Sequence, residues 1–242
     1  MLNSVGLQNP GVDAFITDYL PPLVQLRERA GTVIIANLAG ATVADYVTAA
    51  EKLNESAVDM VELNISCPNV KQGGATWGTQ PALATEVTAA VRAVLTRKPL
   101  MVKLTPNVTD ITEIARAVTA AGADAVSLIN TLLGMRIDIN TRRPVLHNNV
   151  GGLSGAAVFP VALRMVWQVA HAVDVPVVGM GGVCDARGAV EMILAGASAV
   201  QVGTAMFGVP HAPLNILRGL REYMAERGYR GLSDFRGSAE CF

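Results

Sequence analysis

The chain has 242 residues, with 19 Lys and Arg against 20 Asp and Glu, so its formal net charge is −1 at pH 7. About half of the residues are hydrophobic (51%), which excludes a disordered, collagen-like or coiled-coil chain. The neutral charge balance argues against a protein that binds nucleic acid through a basic face. The length suits one large domain, and we predict a single domain over residues 1–242.

Cysteine and histidine usage limits the metal and redox chemistry of the chain. The cysteines Cys67, Cys184 and Cys241 are scattered, and none forms a CxxC pair. This pattern predicts neither a disulfide framework nor a metal centre such as structural zinc. No signal peptide is visible, and no apolar run reaches the roughly 18–20 residues that a membrane span needs. We therefore predict a soluble cytoplasmic protein without a membrane partner.

Short, continuously apolar runs recur along the chain. Such runs are typical of strands that are buried on both faces, as in parallel sheets covered by helices. The runs occupy residues 32–37, 59–66, 100–105, 125–130, 176–181 and 199–203. Amphipathic stretches between them predict helices, the clearest at residues 111–121 with Asp110 as its cap and Gly122 as its end. Further helices are predicted after Pro81, between Asp185 and Gly196, and over residues 214–227.

Repeated strand–helix units predict either an open doubly wound sheet or a (β/α)8 barrel. Polar and glycine residues stand at the C-terminal ends of nearly all the strands, which favours the barrel over the single switch point of an open sheet. The alternative, that Asn and Gly merely end strands, does not explain Lys103. Because the pattern contains six units, we predict an α/β fold of the TIM (β/α)8-barrel type. It is N-terminally truncated, so that about six of the eight units are present.

Residues 64–69 (NISCPN) place a cysteine on a proline-restricted loop directly after a strand. The flanking amides of Asn64 and Asn69 both donate and accept hydrogen bonds, which suits a planar imide or urea-like ligand. Deprotonated Cys67 is suited to act as a base or nucleophile. The alternative is a buried, inert cysteine, and the two amides favour the functional interpretation.

Lys103 lies inside an apolar strand and is expected to face the barrel mouth, where it meets an anion or an electron-rich ring. The alternative is a partly buried salt bridge with Glu62. Residues 179–182 (GMGG) and 203–204 (GT) end the last two strands, where barrels often hold a phosphate on backbone N–H groups. Ordinary strand-ending glycines are the alternative there. The long loops 70–78 and 132–150 are candidates for lids or partner surfaces.

In chain order, the phrases NSVGLQNPG, NISCPN, VKLTPN, INT, GGLSG, GMGGV and VGTA resemble those of the soluble class 1 dihydroorotate dehydrogenases. The resemblance runs from Asn3 to about Gly208. A cysteine at position 67 resembles the class 1 enzymes, since the membrane-associated class 2 enzymes have serine at the corresponding position. The phrases INTLLGMRID and TRRPVL most resemble the NAD-linked class 1B catalytic subunit.

The resemblance implies an FMN-binding barrel that oxidises (S)-dihydroorotate to orotate in pyrimidine biosynthesis. It implies that Cys67 removes the C5 proton and that Lys103 stabilises charge near the N1–O2 edge of the flavin. The substrate-binding residues that it implies are Asn3, Ser4, Val5, Gly6, Leu7, Asn64, Asn69, Asn130 and Thr131. The FMN-binding residues that it implies are Asn37, Asn64, Lys103, Ile129, Gly155, Gly181, Gly182, Gly203 and Thr204.

The resemblance also implies two protein partners, a second copy of the chain and an iron–sulfur, FAD-containing subunit that passes electrons to NAD. The sequence has no cysteine cluster for iron–sulfur ligands and no GxGxxG fingerprint, so FAD, [2Fe-2S] and NAD enter only through that subunit. The family has further residues before the phrase NSVGLQNPG, which supply two barrel strands. There are two alternatives to a dihydroorotate dehydrogenase subunit. The chain is a non-catalytic fragment of such an enzyme, or it is a dihydropyrimidine dehydrogenase-type flavin barrel.

Overall fold

The protein is described from a computed structural model, which covers residues 1–66 and 77–240. Its strands are β1 (Leu2–Asn3), β2 (Ile35–Leu38), β3 (Met60–Asn64), β4 (Leu100–Lys103), β5 (Ala125–Leu128), β6 (Leu132–Gly134), β7 (Ile137–Asp138), β8 (Arg143–Pro144), β9 (Gly151–Leu153), β10 (Val177–Met180) and β11 (Ala199–Gln201). Its α-helices are α1 (Val12–Ala14), α2 (Leu20–Ala30), α3 (Val43–Glu55), α4 (Pro81–Val94), α5 (Ile111–Ala120), α6 (Phe159–Ala170), α7 (Ala186–Leu194), α8 (Ala205–Gly208) and α9 (Ala212–Arg227). A π-helical stretch, Phe15–Tyr19, joins α1 to α2.

A six-stranded parallel sheet organises the molecule, with neighbours in the order β2, β3, β4, β5, β10 and β11. Each of the predicted apolar runs contains one of these strands, so the sequence-based strand prediction is confirmed. The parallel register places Asn37 beside Glu62, and Asn64 beside Lys103. Polar residues of neighbouring strands therefore lie side by side near the C-terminal edge of the sheet.

The sheet is strongly curled rather than flat. Gln201 Nε2 on β11 donates to Glu62 Oε1 on β3 at 3.0 Å, although β4, β5 and β10 lie between these strands. Four strand spacings in a flat sheet amount to about 19 Å. The sheet and its helices thus form a TIM-type half-barrel with six strand–helix units, as the sequence predicts.

Helix boundaries follow the capping residues. The Asp110 side chain accepts from Thr112 N at the start of α5, and the Asp185 side chain accepts from Gly188 N at the start of α7. Gly122 and Gly196 follow these helices with positive φ angles of 100° and 116°, which is the usual role of glycine at a helix end. The four helices predicted from the sequence are confirmed as α4, α5, α7 and α9, and the other described helices, α1, α2, α3, α6 and α8, are additional.

The core lies between the parallel sheet and the helices. Alternate residues of β3, such as Val61 and Leu63, are fully buried, as are Val91 on α4 and Val118 on α5. The remaining β3 positions, Glu62 and Asn64, are buried polar residues. This alternation assigns one face of the strand to the apolar core and the other to the polar interior of the curl.

A small antiparallel sheet in the order β1, β9, β6 covers part of one end of the half-barrel. Strand β1 (Leu2–Asn3), which pairs with Gly152 and Leu153, is not among the strands predicted from the sequence. A two-residue strand carries no periodic signal, because its partner far along the chain supplies the pairing. Among the described residues, no helix has the length and apolar character for crossing a membrane.

Candidate functional site

A pocket of about 210 Å³ opens at the C-terminal ends of β4, β5, β10 and β11. This is the end at which parallel barrels carry their ligand sites. The pocket brings together seven of the residues that the sequence predicts to bind FMN: Lys103, Ile129, Gly155, Gly181, Gly182, Gly203 and Thr204. Asn130 and Thr131 also line it, so predicted substrate-binding residues meet predicted cofactor-binding residues there.

Glycine backbone forms one wall of this pocket. Gly155, Gly181 and Gly182 have φ angles of 102°, 117° and 76°, which residues other than glycine rarely adopt. A Cβ atom on Gly182 would lie 2.8 Å from the Gly155 carbonyl oxygen and 2.9 Å from Phe159 Cβ. The chain therefore packs so closely at Gly182 that it leaves no room for a side chain.

The same wall carries unpaired hydrogen-bond donors. Within residues 1–66 and 77–240, the backbone N–H groups of Gly182, Gly203 and Thr204 have no hydrogen-bond acceptor. The hydroxyl of Thr204 donates to Ser154 Oγ at 3.0 Å. Clustered N–H groups without acceptors among these residues suit an anionic group such as a phosphate.

Lys103 contributes the cationic side chain of the pocket. It is half-buried at the end of β4, and its alternative role as a salt-bridge partner of Glu62 is wrong. Glu62 instead accepts hydrogen bonds from Asn37, Ser127 and Gln201. The charge of Lys103 is therefore available to an anionic or electron-rich ligand in the pocket.

A polar network connects the ends of β3 and β5. Asn64 Oδ1 accepts from Ser66 N at 3.2 Å and from Ser66 Oγ at 2.7 Å. Asn130 Nδ2 donates to Ser66 Oγ at 2.7 Å and to Ser66 O at 3.1 Å. Asn130 Oδ1 accepts from Thr131 N at 2.9 Å. The two asparagines thus hold Ser66, the residue that precedes Cys67 in the chain.

The predicted base Cys67 and the predicted substrate-binding residue Asn69 lie outside the described residues. Tyr46 Oη, buried on α3, donates to the Asn64 carbonyl oxygen at 2.9 Å. This hydrogen bond holds the end of β3 against helix α3.

The N-terminal segment reaches the same end of the half-barrel only in part. Asn3 pairs with Gly152, and a Cβ atom on Gly152 would come within 2.4 Å of Thr131 Oγ1. Strand β1 is therefore held close to Thr131 through β9. Leu7, by contrast, lines a separate groove of about 710 Å³ beside β2, where Asn37 also lies.

The remaining predicted residues of this segment are not part of the 210 Å³ pocket. Ser4 is half-buried, whereas Val5 and Gly6 are exposed. The backbone is turned there, since Gly6 and Leu7 have φ angles of 80° and 60°. Val5 N donates to Asn3 Oδ1 at 3.4 Å, which ties the turn back to β1.

Sequence reasoning missed several polar residues of the site. Gln201 lines the pocket, and Ser127 and Glu62 lie buried behind it. Asn107 donates to the Thr131 carbonyl oxygen at 3.0 Å and accepts from Leu133 N. For Glu62, Ser127 and Gln201 the available signal was a polar residue inside an apolar run, the same signal that identified Lys103.

Comparisons with known proteins agree on one family. A family model described as dihydroorotate dehydrogenase matches residues 1–224. The chain is similar to the catalytic subunit of dihydroorotate dehydrogenase B (NAD(+)) of Alkaliphilus oremlandii, with 57% identity over 237 residues, 98% of this chain and 77% of the relative. The subunits of the same name from Pelobacter propionicus and Bacteroides thetaiotaomicron are 54% and 52% identical, covering 100% and 99% of this chain and 78% of each relative.

Proposed function

Because the chain belongs to the dihydroorotate dehydrogenase family, we propose that it oxidises dihydroorotate to orotate as a catalytic subunit, a step of pyrimidine biosynthesis. The observation that carries the proposal is the pocket in which Lys103, the glycine wall and Asn130 come together at the strand ends. The relatives are catalytic subunits of an NAD-linked enzyme. We propose that residues 1–242 form one domain, and the single family match over residues 1–224 supports this.

FMN is the cofactor of this proposal, and the pocket residues fit it. The unpaired N–H groups of Gly182, Gly203 and Thr204 would hold its phosphate, and Lys103 would lie at its ring. Gly155, Gly181 and Ile129 would complete that side, with Asn37 and Asn64 on the side of β2 and β3. When bound, FMN supplies the acceptor for the hydride that leaves C6 of dihydroorotate.

The substrate is held, in this proposal, by amide and hydroxyl groups of the network around Ser66. Asn64, Asn69, Asn130 and Thr131 offer the mixed donors and acceptors that the ring amide and carbonyl groups of a dihydropyrimidine require. Residues 3–7 (Asn3, Ser4, Val5, Gly6 and Leu7) would contribute from the N-terminal side, where β9 holds Asn3 close to Thr131.

Cys67 follows Ser66 directly in the chain and is the proposed general base. Its thiolate takes the proton from C5, and the C5–H electron pair becomes part of the new C5=C6 double bond. Lys103 balances negative charge that develops on the ring side of the pocket.

The proposal includes partner proteins. The relatives' designation as the catalytic subunit of an NAD(+) enzyme supports a separate electron-transfer subunit. We propose that this subunit carries FAD and a [2Fe-2S] cluster and passes electrons to NAD, and that the catalytic chain pairs with a second copy of itself. Its place of action would be the cytoplasm.

The test is the visible absorption spectrum of the purified chain reconstituted with FMN, recorded before and after anaerobic addition of dihydroorotate. The expected result is a bound flavin spectrum that bleaches. Dihydrouracil in place of dihydroorotate distinguishes a dihydropyrimidine dehydrogenase-type activity. A chain that binds no FMN contradicts the proposal and favours a non-catalytic fragment.

A variant pair tests the base. Cys67→Ser is expected to keep the flavin spectrum and to slow flavin reduction by about 100-fold or more at neutral pH, since general-base catalysis contributes roughly 10²–10⁴-fold. Cys241→Ser is the matched control, because position 241 lies beyond the residues 1–224 that the family model matches. Equal reduction rates in the two variants contradict the role of Cys67.

A further inference from the structure

Glu62 lies in the middle of β3, with its side chain buried inside the curled sheet and only 5% of the residue exposed. Side chains from three other strands donate to its carboxylate: Asn37 Nδ2 at 2.5 Å, Ser127 Oγ at 2.7 Å and Gln201 Nε2 at 3.0 Å. Within the described part of the chain, no cation forms an ion pair with it. A buried carboxylate is costly unless hydrogen bonds satisfy it, and these three donors do so.

Packing alone does not account for an acid at this position. Replacing a buried charged group by an apolar side chain of similar volume is often neutral or stabilising, and the core face of the same strand is built from Val61 and Leu63. The hydrogen bonds of Glu62 join four strands, β2, β3, β5 and β11. Glu62 therefore connects the polar side chains inside the half-barrel.

The carboxylate determines the direction of the amides around it, because an ionised carboxylate accepts hydrogen bonds and cannot donate them. Asn37 turns its NH2 group to Glu62, so its Oδ1 accepts from Asn64 Nδ2 at 3.4 Å. Asn64 then keeps its own Oδ1 for the backbone N–H and hydroxyl of Ser66. Gln201 also turns its NH2 group to Glu62, and its side chain lines the 210 Å³ pocket beside Lys103.

We propose that Glu62 is a positioning residue of the ligand site, which orients the amides of Asn37 and Gln201 by accepting a hydrogen bond from each. Through Asn37 it holds Asn64 in the orientation that binds Ser66. Through Gln201 it determines which amide atom is left for a ligand in the pocket. The proposal rests on the proposed function only in taking that pocket as the FMN site.

The variant Glu62→Gln keeps the size of the side chain and removes one of its two acceptors. Its single oxygen accepts either from Asn37 or from Ser127 and Gln201. Its NH2 group then faces the donor or donors that the oxygen does not accept from. One of the two site amides must then turn over or lose its hydrogen bond. We expect the dissociation constant for FMN, measured by quenching of flavin fluorescence, to rise by about tenfold or more.

The matched control is Asp59→Asn, the same kind of exchange just before the N-terminal end of β3. Asp59 accepts from Arg27 and from Ile34 N, and it is not part of the pocket. Its variant is expected to lower the urea midpoint of unfolding without changing the FMN dissociation constant. Unchanged FMN affinity in Glu62→Gln overturns the inference and leaves the proposed function standing.

A second measurement does not depend on FMN. In the double variant Asn37→Asp/Glu62→Gln, the amide at position 62 donates to the carboxylate at position 37, while its oxygen accepts from Ser127 and Gln201. We expect each single exchange to lower the urea midpoint and the double variant to regain most of the loss. If the wild-type chain binds no FMN, the proposed function is wrong. The stabilities of the two single variants and the double variant then test the inference about Glu62 by themselves. Losses that simply add overturn the inference.

Discussion

Asn130 Nδ2 donates to Ser66 Oγ at 2.7 Å and thereby joins the end of β5 to the end of β3. Strand β4 lies between these two strands in the sheet, so the side chain reaches over the end of a strand. Its Oδ1 is occupied by Thr131 N. Asn130 thus holds the backbone on two sides of the pocket, before Cys67 and at Thr131.

Asn130→Ala tests this arrangement. Removing the hydrogen-bond partner of the buried Ser66 costs about 1–3 kcal/mol, or roughly 5- to 150-fold in affinity. We expect orotate to bind more weakly by that factor, measured by the change in flavin absorption on titration, with FMN still bound. Asn215→Ala, on the exposed surface of α9, is the control and is expected to leave orotate binding unchanged. Equal binding in both variants contradicts the role of Asn130.

Gly182→Ala tests the close packing of the glycine wall. The new Cβ would lie 2.8 Å from the Gly155 carbonyl oxygen, and the φ angle of 76° is unfavourable for alanine. We expect a loss of FMN binding and a fall in the free energy of unfolding by about 2–4 kcal/mol, combining the backbone and overpacking costs. Urea unfolding and flavin titration measure the two effects.

Gly228→Ala separates these contributions. Its φ angle of 69° is similar, but a Cβ atom there meets nothing within 4 Å. Only the backbone cost of about 1–2 kcal/mol is expected, with FMN binding unchanged. Equal losses of stability at the two glycines show that packing against Gly155 is unimportant.

The parallel strands were predictable from sequence because burial on both faces leaves a continuous apolar run, as at Leu100–Lys103. The short strands β1, β6 and β9 were not, because strands of two or three residues depend on partners elsewhere in the chain. Glycine and lysine at the strand ends predicted the pocket, because the C-terminal ends of parallel strands meet at one edge of the sheet.

The hydrogen bonds inside the half-barrel were harder to predict from the sequence. Glu62 was considered only as a partner for Lys103, a near neighbour in the predicted sheet. Its actual partner Gln201 is 139 residues away in the chain. That contact depends on how tightly the sheet curls, and curvature is a property of the assembled strands rather than of any local pattern.

Thr88 is a buried residue of α4 whose Oγ1 has no hydrogen-bond partner among the described residues. Thr88→Val replaces this hydroxyl with a methyl group of similar size, which removes the cost of an unsatisfied polar atom. We expect the free energy of unfolding to rise by about 1 kcal/mol. The same exchange at Thr119, whose Oγ1 donates to Ala115 O at 2.8 Å, is expected to lower it. Thermal unfolding of both variants gives the comparison, and equal changes contradict the explanation.

The cap of α5 predicts a pH dependence of stability. Hydrogen bonds from the Thr112 hydroxyl and backbone N–H lower the pKa of Asp110 below its ordinary value of 3.8. A lowered pKa in the folded state means that the ionised carboxylate stabilises the fold at pH values above 3.8. This stabilisation is lost as the pH falls below 3.8 and through the lowered pKa of the folded state. Asp110→Asn keeps an oxygen for Thr112 N and removes the charge.

We therefore expect wild type to be more stable than Asp110→Asn at neutral pH, with the difference shrinking as the pH falls below 3.8. Urea midpoints of both proteins across this range measure the difference directly. Asp45 and Asp138, whose pKa values are also lowered by local hydrogen bonds, are present in both proteins and cancel in the comparison. A difference that stays constant with pH contradicts the prediction, because the side chain at position 110 is the only titratable group that differs between the two proteins.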